Sequence, residues 1–201
     1  MPVSKTTKEA LIEQEAEWYL PAETNPYGIT LTMTNNLLIP TAGIDESNGN
    51  SHYILWPKNP EETAKSLLVH LLGTRQVRHL GVLITDSRTT PMRCGTSGVC
   101  LSYAGFIGVN DYIGKPDLFG YTMRVTKTNI ADGLAAAAVV TMGETNEQTP
   151  LALISDVPFV HFDEHAPTKE ELASWKISKE EDLYGPLLQS PLWKKGKANT
   201  S

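Results

Sequence analysis

Leu83-Ile-Thr-Asp-Ser-Arg-Thr-Thr-Pro-Met-Arg-Cys-Gly-Thr-Ser-Gly98 is the stretch around which the chain is organised. The residues leading into it, Leu80-Gly-Val-Leu-Ile84, are short and β-branched enough for a buried strand. That strand is expected to end at Asp86, where the composition turns to hydroxyls, two arginines and glycines. A carboxylate at a strand's end, followed by donors and cations, suits oxyanion or metal chemistry. From these residues alone, a polar strand-to-strand loop with an Asp at its corner reads equally well.

Working outward, the N-terminal side offers a capping box at Thr6-Thr-Lys-Glu9, with a helix to about Tyr19 closed by Pro21. Gly28–Met33 and Leu37–Ile39 read as strands turned at Asn35-Asn36. Thr41-Ala-Gly-Ile-Asp-Glu-Ser-Asn48 is a second polar cluster at a strand's end, and Tyr53–Trp56 reads as a further strand. Asn59-Pro-Glu-Glu62 supplies an N-cap, a proline at the first helical position and first-turn acids for a helix ending at Gly73.

On the C-terminal side, Val99–Ala104 reads as a strand and Asp111–Gly120 as a loop punctuated by Gly and Pro. Tyr121–Thr126 alternates like a half-buried strand. Thr128 or Asn129 caps a helix from Ile130 to Met142, with Gly143 at its end and alanines that permit close packing. Leu151–Ile154 is the last strand, followed by a short capped helix near Thr168–Glu171. Hairpin-connected strands with irregularly spaced helices predict an α+β fold with a mixed, largely antiparallel sheet. Residues 1–156 form the expected domain and residues 157–201 a C-terminal extension.

A chain of 201 residues can bury one substantial core or two small ones. A net charge of −6, with no Lys/Arg cluster offsetting it, argues against nucleic acid. No apolar run reaches membrane-span length. Cys94 and Cys100 lack metal-knuckle or redox-pair spacing and fit a reducing cytoplasm. His52, His70, His79, His161 and His165 form no zinc-binding pattern, no serine has a nucleophile-elbow context, and no P-loop is present. What recurs is acid: Asp45, Asp86 and Glu144 each follow an apolar element beside small or polar residues. Oxygen-only ligands suit Mg²⁺ or Mn²⁺, and Arg88 and Arg93 suit a phosphate. Taken singly, each acid reads more simply as a turn or capping residue.

At these same segments the sequence resembles the coenzyme F-420:L-glutamate ligase family, including its folate-metabolism γ-glutamate ligase branch. The matching motifs are Ala42-Gly-Ile-Asp-Glu-Ser-Asn48, Gly81-Val-Leu-Ile-Thr-Asp-Ser87, Pro91-x-Arg93-x-Gly95, Asp111-Tyr-x-Gly-Lys-Pro-Asp117 and Ile130-Ala-Asp-x-Leu through Met142-Gly-Glu144. Asp182-Leu-Tyr-x-Pro-Leu187 looks like the end of the folate-labelled branch. The resemblance implies an enzyme that uses GTP (or ATP) and Mg²⁺ or Mn²⁺ to join L-glutamate to a carboxylate-bearing small molecule. It implies metal ligands at Asp45, Asp86, Ser87 and Glu144, a catalytic Arg93, and nucleotide contacts at Asn48, Met142, Gly143 and Thr145. It also implies a homodimer, and that the family's N-terminal segment is missing here. Thr90 stands where many relatives have Arg, and Ser87 where many have Thr. The competing expectation is a non-catalytic nucleotide-binding or assembly protein that keeps the fold.

Overall fold

Thr7 starts the first helix, its hydroxyl accepting the Ala10 amide at 3.2 Å, one residue after the expected box. The helix α1, Lys8–Glu15, stops well short of Tyr19 because Ala16 is already extended and Trp18–Leu20 forms strand β1. Trp and Tyr gain more from strand partners here than from another helical turn. β2 (Leu31–Thr34) and β3 (Leu37–Pro40) form the expected hairpin, with Asn35 and Asn36 at φ 49° and 61°. The computed structural model describes residues 1–163, 165 and 167–198.

β3, β2, β1 and a C-terminal strand, Lys194–Lys195, make a four-stranded sheet with antiparallel neighbours. Leu11, Ile12, Ala16, Ala42, Ile44 and Tyr53 form its accompanying core. Fully buried Thr32 donates its hydroxyl to the Ile39 carbonyl at 2.7 Å and accepts the Ala42 amide at 3.0 Å. It thereby supports a turn at Thr41–Gly43 in which Thr41 and Ala42 hold φ of 53° and 54°. Tyr53–Trp56 does not form the expected strand; only isolated bridges occur, Pro2 with His52 and Asp45 with Ile54. Left-handed Asn50 and Ser51 interrupt the extended run just before it, and Pro57 offers no amide after it.

This sheet lies in one of two compact units, composed of Met1–Lys58, Arg88–Thr96 and the chain from Lys176 onward; Asn59–Ser87 and Ser97–Trp175 compose the other. In the second unit α2 spans Pro60–Thr74, capped by Asn59, which accepts the Glu62 amide at 3.1 Å. It runs through Gly73, ending one residue later than expected. β4 covers Val82–Thr89 and pairs with β5, Thr96–Ala104. The central strand thus continues three residues beyond Asp86, and its partner β5 begins at Thr96 rather than Val99. β6 (Val109–Asp111) pairs antiparallel with β7 (Lys127–Asn129). Tyr121–Thr126, expected as a strand, lies in the intervening loop, where Asp117 accepts the Phe119 and Tyr121 amides, each at 2.8 Å. Tyr121 and Val125 have no buried face to occupy, so their alternation has no sheet to serve.

The alanine-rich helix α3 spans Ile130–Met142 with Asn129 as its cap. Ala131 and Ala135 are fully buried beside Cys100, Tyr103 and Phe106. Asp132 ties the helix to β5 by accepting the Cys100 amide at 2.9 Å. Leu151–Ile154 forms no strand; Leu151 and Leu153 are exposed. α4 (Lys169–Trp175) opens with a reciprocal box, Glu171 accepting the Thr168 amide and Thr168 the Glu171 amide. α5 (Gly185–Leu188) and β8 (Lys194–Lys195) belong to the first unit. The architecture is α+β with antiparallel sheets. Among the described residues no helix is long and apolar enough to cross a membrane.

Candidate functional site

β4 and the loop leaving α3 meet in the second unit. Ser87, near the end of β4, donates its hydroxyl to Glu144 Oε2 at 3.1 Å. Glu144 is delivered there by the end of α3: Gly143 takes φ 83°, and its amide closes the helix on the Val139 carbonyl at 3.0 Å. A side chain at residue 143 would be strained by that φ, and its Cβ would sit 2.4 Å from the Glu147 carboxyl carbon. Glu147 in turn accepts the Thr145 amide at 2.8 Å and the Thr145 hydroxyl at 3.1 Å. The Thr149 hydroxyl donates to the Met142 carbonyl and closes the base of the loop.

The Asp86 carboxylate accepts the amide of the next residue, Ser87, at 2.7 Å. Asp86, Ser87 and Glu144 therefore supply oxygen donors only, within one short strand end and one loop. Among the described residues no three His, Cys, Asp or Glu converge into a ready-made cage. Such a donor set fits a hard ion of the Mg²⁺ type, which takes one or two carboxylates and keeps its remaining positions for water and phosphate oxygens.

The other expected site residues lie in the first unit. Asp45 follows the left-handed turn and folds onto its own loop: its carboxylate accepts the Glu46 amide at 2.6 Å, the Ser47 amide at 2.8 Å and the Ser47 hydroxyl at 2.5 Å. Partial burial pushes this carboxyl up, but the Ser47 and Glu46 hydrogen bonds and the Lys8 charge outweigh it and hold it below the usual range. Asn48, three residues on, has φ 53°. Arg93 is exposed at the tip between β4 and β5, where its amide reaches the Thr90 carbonyl at 3.3 Å. Met142, Gly143 and Thr145 form the second unit's loop with Glu144. Glu147 and Thr149 were not legible as site residues. The available signal was a run of short polar side chains after a helix-ending glycine, the kind that bonds its own backbone.

A family model described as F420-0:Gamma-glutamyl ligase matches residues 6–156. The chain is 35% identical over 161 residues to the coenzyme F420:L-glutamate ligase of Methanococcus maripaludis strain C7, covering 79% of this chain and 61% of the relative. It is 38% identical over 123 residues to the protein of the same name from Methanocaldococcus jannaschii, covering 59% and 48% respectively. For that of Halobacterium salinarum strain R1 the figures are 33% over 152 residues, covering 75% and 56%. The chain thus spans about half to three fifths of the length of these relatives.

Proposed function

Because the chain belongs to the F420-0:Gamma-glutamyl ligase family, we propose that it is a nucleotide- and metal-dependent ligase. It would form a γ-glutamyl amide between L-glutamate and a substrate carboxylate of the coenzyme F-420 or folate type. The observation that carries this reading is the meeting of Ser87 with Glu144 beside Asp86, which gathers oxygen donors from two distant segments. Asp86, Ser87 and Glu144 would hold Mg²⁺ or Mn²⁺; the ion when bound neutralises phosphate charge. Asp45 and Asn48 keep their proposed roles as metal and nucleotide contacts, and Met142, Gly143 and Thr145 border the GTP or ATP. Arg93 supplies a fixed positive charge to the γ-phosphoryl group as it passes to the substrate carboxylate. The glutamate amine then attacks the carbonyl of the acyl phosphate, forming the amide and releasing phosphate.

The same reading gives a homodimer in a cytoplasmic setting. Its support is the exposure of Leu118, Phe119, Leu151 and Leu153 in the second unit, and two free thiols at Cys94 and Cys100. Light scattering during size exclusion is expected to give twice the 22.0 kDa chain mass; a monomer would overturn the dimer.

The test of activity is mass spectrometry of the purified protein incubated with GTP, Mn²⁺, L-glutamate and either a deazaflavin or a folate acceptor. A product heavier by one glutamyl residue is expected. Nucleotide binding without product from any acceptor would favour the second reading, a binding or assembly protein of the same fold.

A further inference from the structure

We propose that Glu147 is a positioning residue: its carboxylate latches the loop after α3 so that Glu144 is held against Ser87. The inference rests on the ligase reading and adds a residue to it. Glu147 is exposed, yet its side chain folds back onto its own loop. Its carboxyl carbon packs so closely on Gly143 that a Cβ there would approach within 2.4 Å. Both of its oxygens are used on one neighbour: Oε2 accepts the Thr145 amide at 2.8 Å and Oε1 the Thr145 hydroxyl at 3.1 Å. The Thr145 amide bond is the chief reason its carboxyl is held below the usual glutamate range.

Glu144 is the residue between the two latched points, Gly143 and Thr145. The helix fixes the first through the Gly143 amide on the Val139 carbonyl. Glu147 fixes the second. With both ends set, the Glu144 carboxylate projects to Ser87 Oγ at 3.1 Å. Removing the Glu147 carboxylate takes two hydrogen bonds away from Thr145. Partners of this kind, one step removed from an ion, commonly govern its affinity about 10–100-fold.

Calorimetric titration of the full chain with MnCl₂, alone and with GTP, tests the proposal. Glu147→Ala should weaken Mn²⁺ binding about tenfold, whereas Glu147→Gln should stay within about twofold of wild type. The Gln carbonyl can accept the Thr145 amide while its NH₂ donates to the Thr145 hydroxyl. Unchanged affinity in Glu147→Ala would overturn the proposal. Equal losses in both variants would also overturn it, because the charge itself, as in a direct ligand, would then be what matters. If wild type binds no Mn²⁺ under either condition, the ligase reading fails, and the latch is decided separately by NMR. The Ser87 Cβ resonance should shift in Glu147→Ala as it does in Glu144→Ala. A Ser87 signal that is unmoved in Glu147→Ala, or in both variants, would overturn the positioning role.

Discussion

Ser87 and Glu144 are separated by 57 positions, yet Ser87 Oγ lies 3.1 Å from Glu144 Oε2. The bond is partly a consequence of where β4 ends. Because the strand continues through Ser87 to Thr89, the hydroxyl is held by the sheet rather than by a loop. A strand-borne donor facing a loop-borne carboxylate is a pair whose geometry an ion can use without first ordering both partners.

Asp86→Asn should weaken Mn²⁺-dependent nucleotide binding at least tenfold and leave the melting temperature unchanged or slightly raised. Neutralising one of the carboxylates proposed to share the ion would relieve their repulsion when no metal is bound. The amide oxygen can still accept the Ser87 amide, as the carboxylate does at 2.7 Å. Calorimetric titration with Mn²⁺ and GTP, beside a thermal melt, checks both halves. A melting temperature lowered by many degrees with binding intact would mean that Asp86 is a turn acid and nothing more.

What the sequence made legible were elements with local, self-contained signals. The Asn35-Asn36 hairpin, the Asn59-Pro60 helix start, the Asn129–Gly143 helix limits and the Thr168–Glu171 box each depend on a few adjacent residues. The misread segments depend on partners elsewhere. Trp18–Leu20 is strand because Met33 and Lys195 flank Trp18, and β4, whose partner strand begins at Thr96, runs past Asp86. Tyr121–Thr126 and Leu151–Ile154 show the converse, strand-like composition without the strand. Of the candidate site, the residues Asp86, Ser87 and Glu144 were readable. The latch that holds Glu144 was not, because a bond between Glu147 and Thr145 leaves no periodic trace.

Ser102 on β5 is fully buried, and its hydroxyl has no hydrogen-bond partner among the described residues. Its backbone carbonyl does accept from Cys100 Sγ at 3.2 Å, so only the side chain is orphaned. Leaving such a group unpaired costs about 1–3 kcal/mol. Ser102→Ala should therefore raise the melting temperature by roughly 2–4 °C for each ~1 kcal/mol recovered. Differential scanning calorimetry would show it, and a fall of several degrees would mean that the hydroxyl is satisfied in solution.

The C-terminal segment is expected to carry stability in the first unit, although it lies outside the matched region 6–156. Lys194 and Lys195 pair with Tyr19 and Trp18, and the amides of Gly196, Lys197 and Ala198 reach the carbonyls of Glu17, Glu13 and Ala16 at 2.8, 2.8 and 3.2 Å. These bonds occupy carbonyls at the end of α1, where the helix offers no partners of its own. Gly196 sits so close that a Cβ would lie 2.0 Å from the Ala16 oxygen. Gly196→Ala should lower the melting temperature by roughly 4–8 °C, a loss of about 2 kcal/mol. Lys195→Ala, which keeps the backbone pairing, should change it little. Equal behaviour of the two variants in a thermal melt would show that the tail does not hold the sheet.

Asp45 gives the acid limb of stability a specific owner. Its carboxyl is held below its unfolded value, against the effect of burial, by the Ser47 hydroxyl and the Ser47 and Glu46 amides. A depressed folded pKa means that the unfolded chain binds the proton more readily. The contribution is thus fully present above the unfolded value of about 3.9 and is lost as pH falls through the folded pKa. Asp45→Asn cannot titrate, so the wild-type advantage in melting temperature should be constant from about pH 7 to 5 and shrink below about pH 4. The comparison is made in chelator, so that no bound ion contributes. A gap between wild type and Asp45→Asn that stays constant down to about pH 2.5, or widens on acidification, would mean that these hydrogen bonds do not select the charged carboxylate.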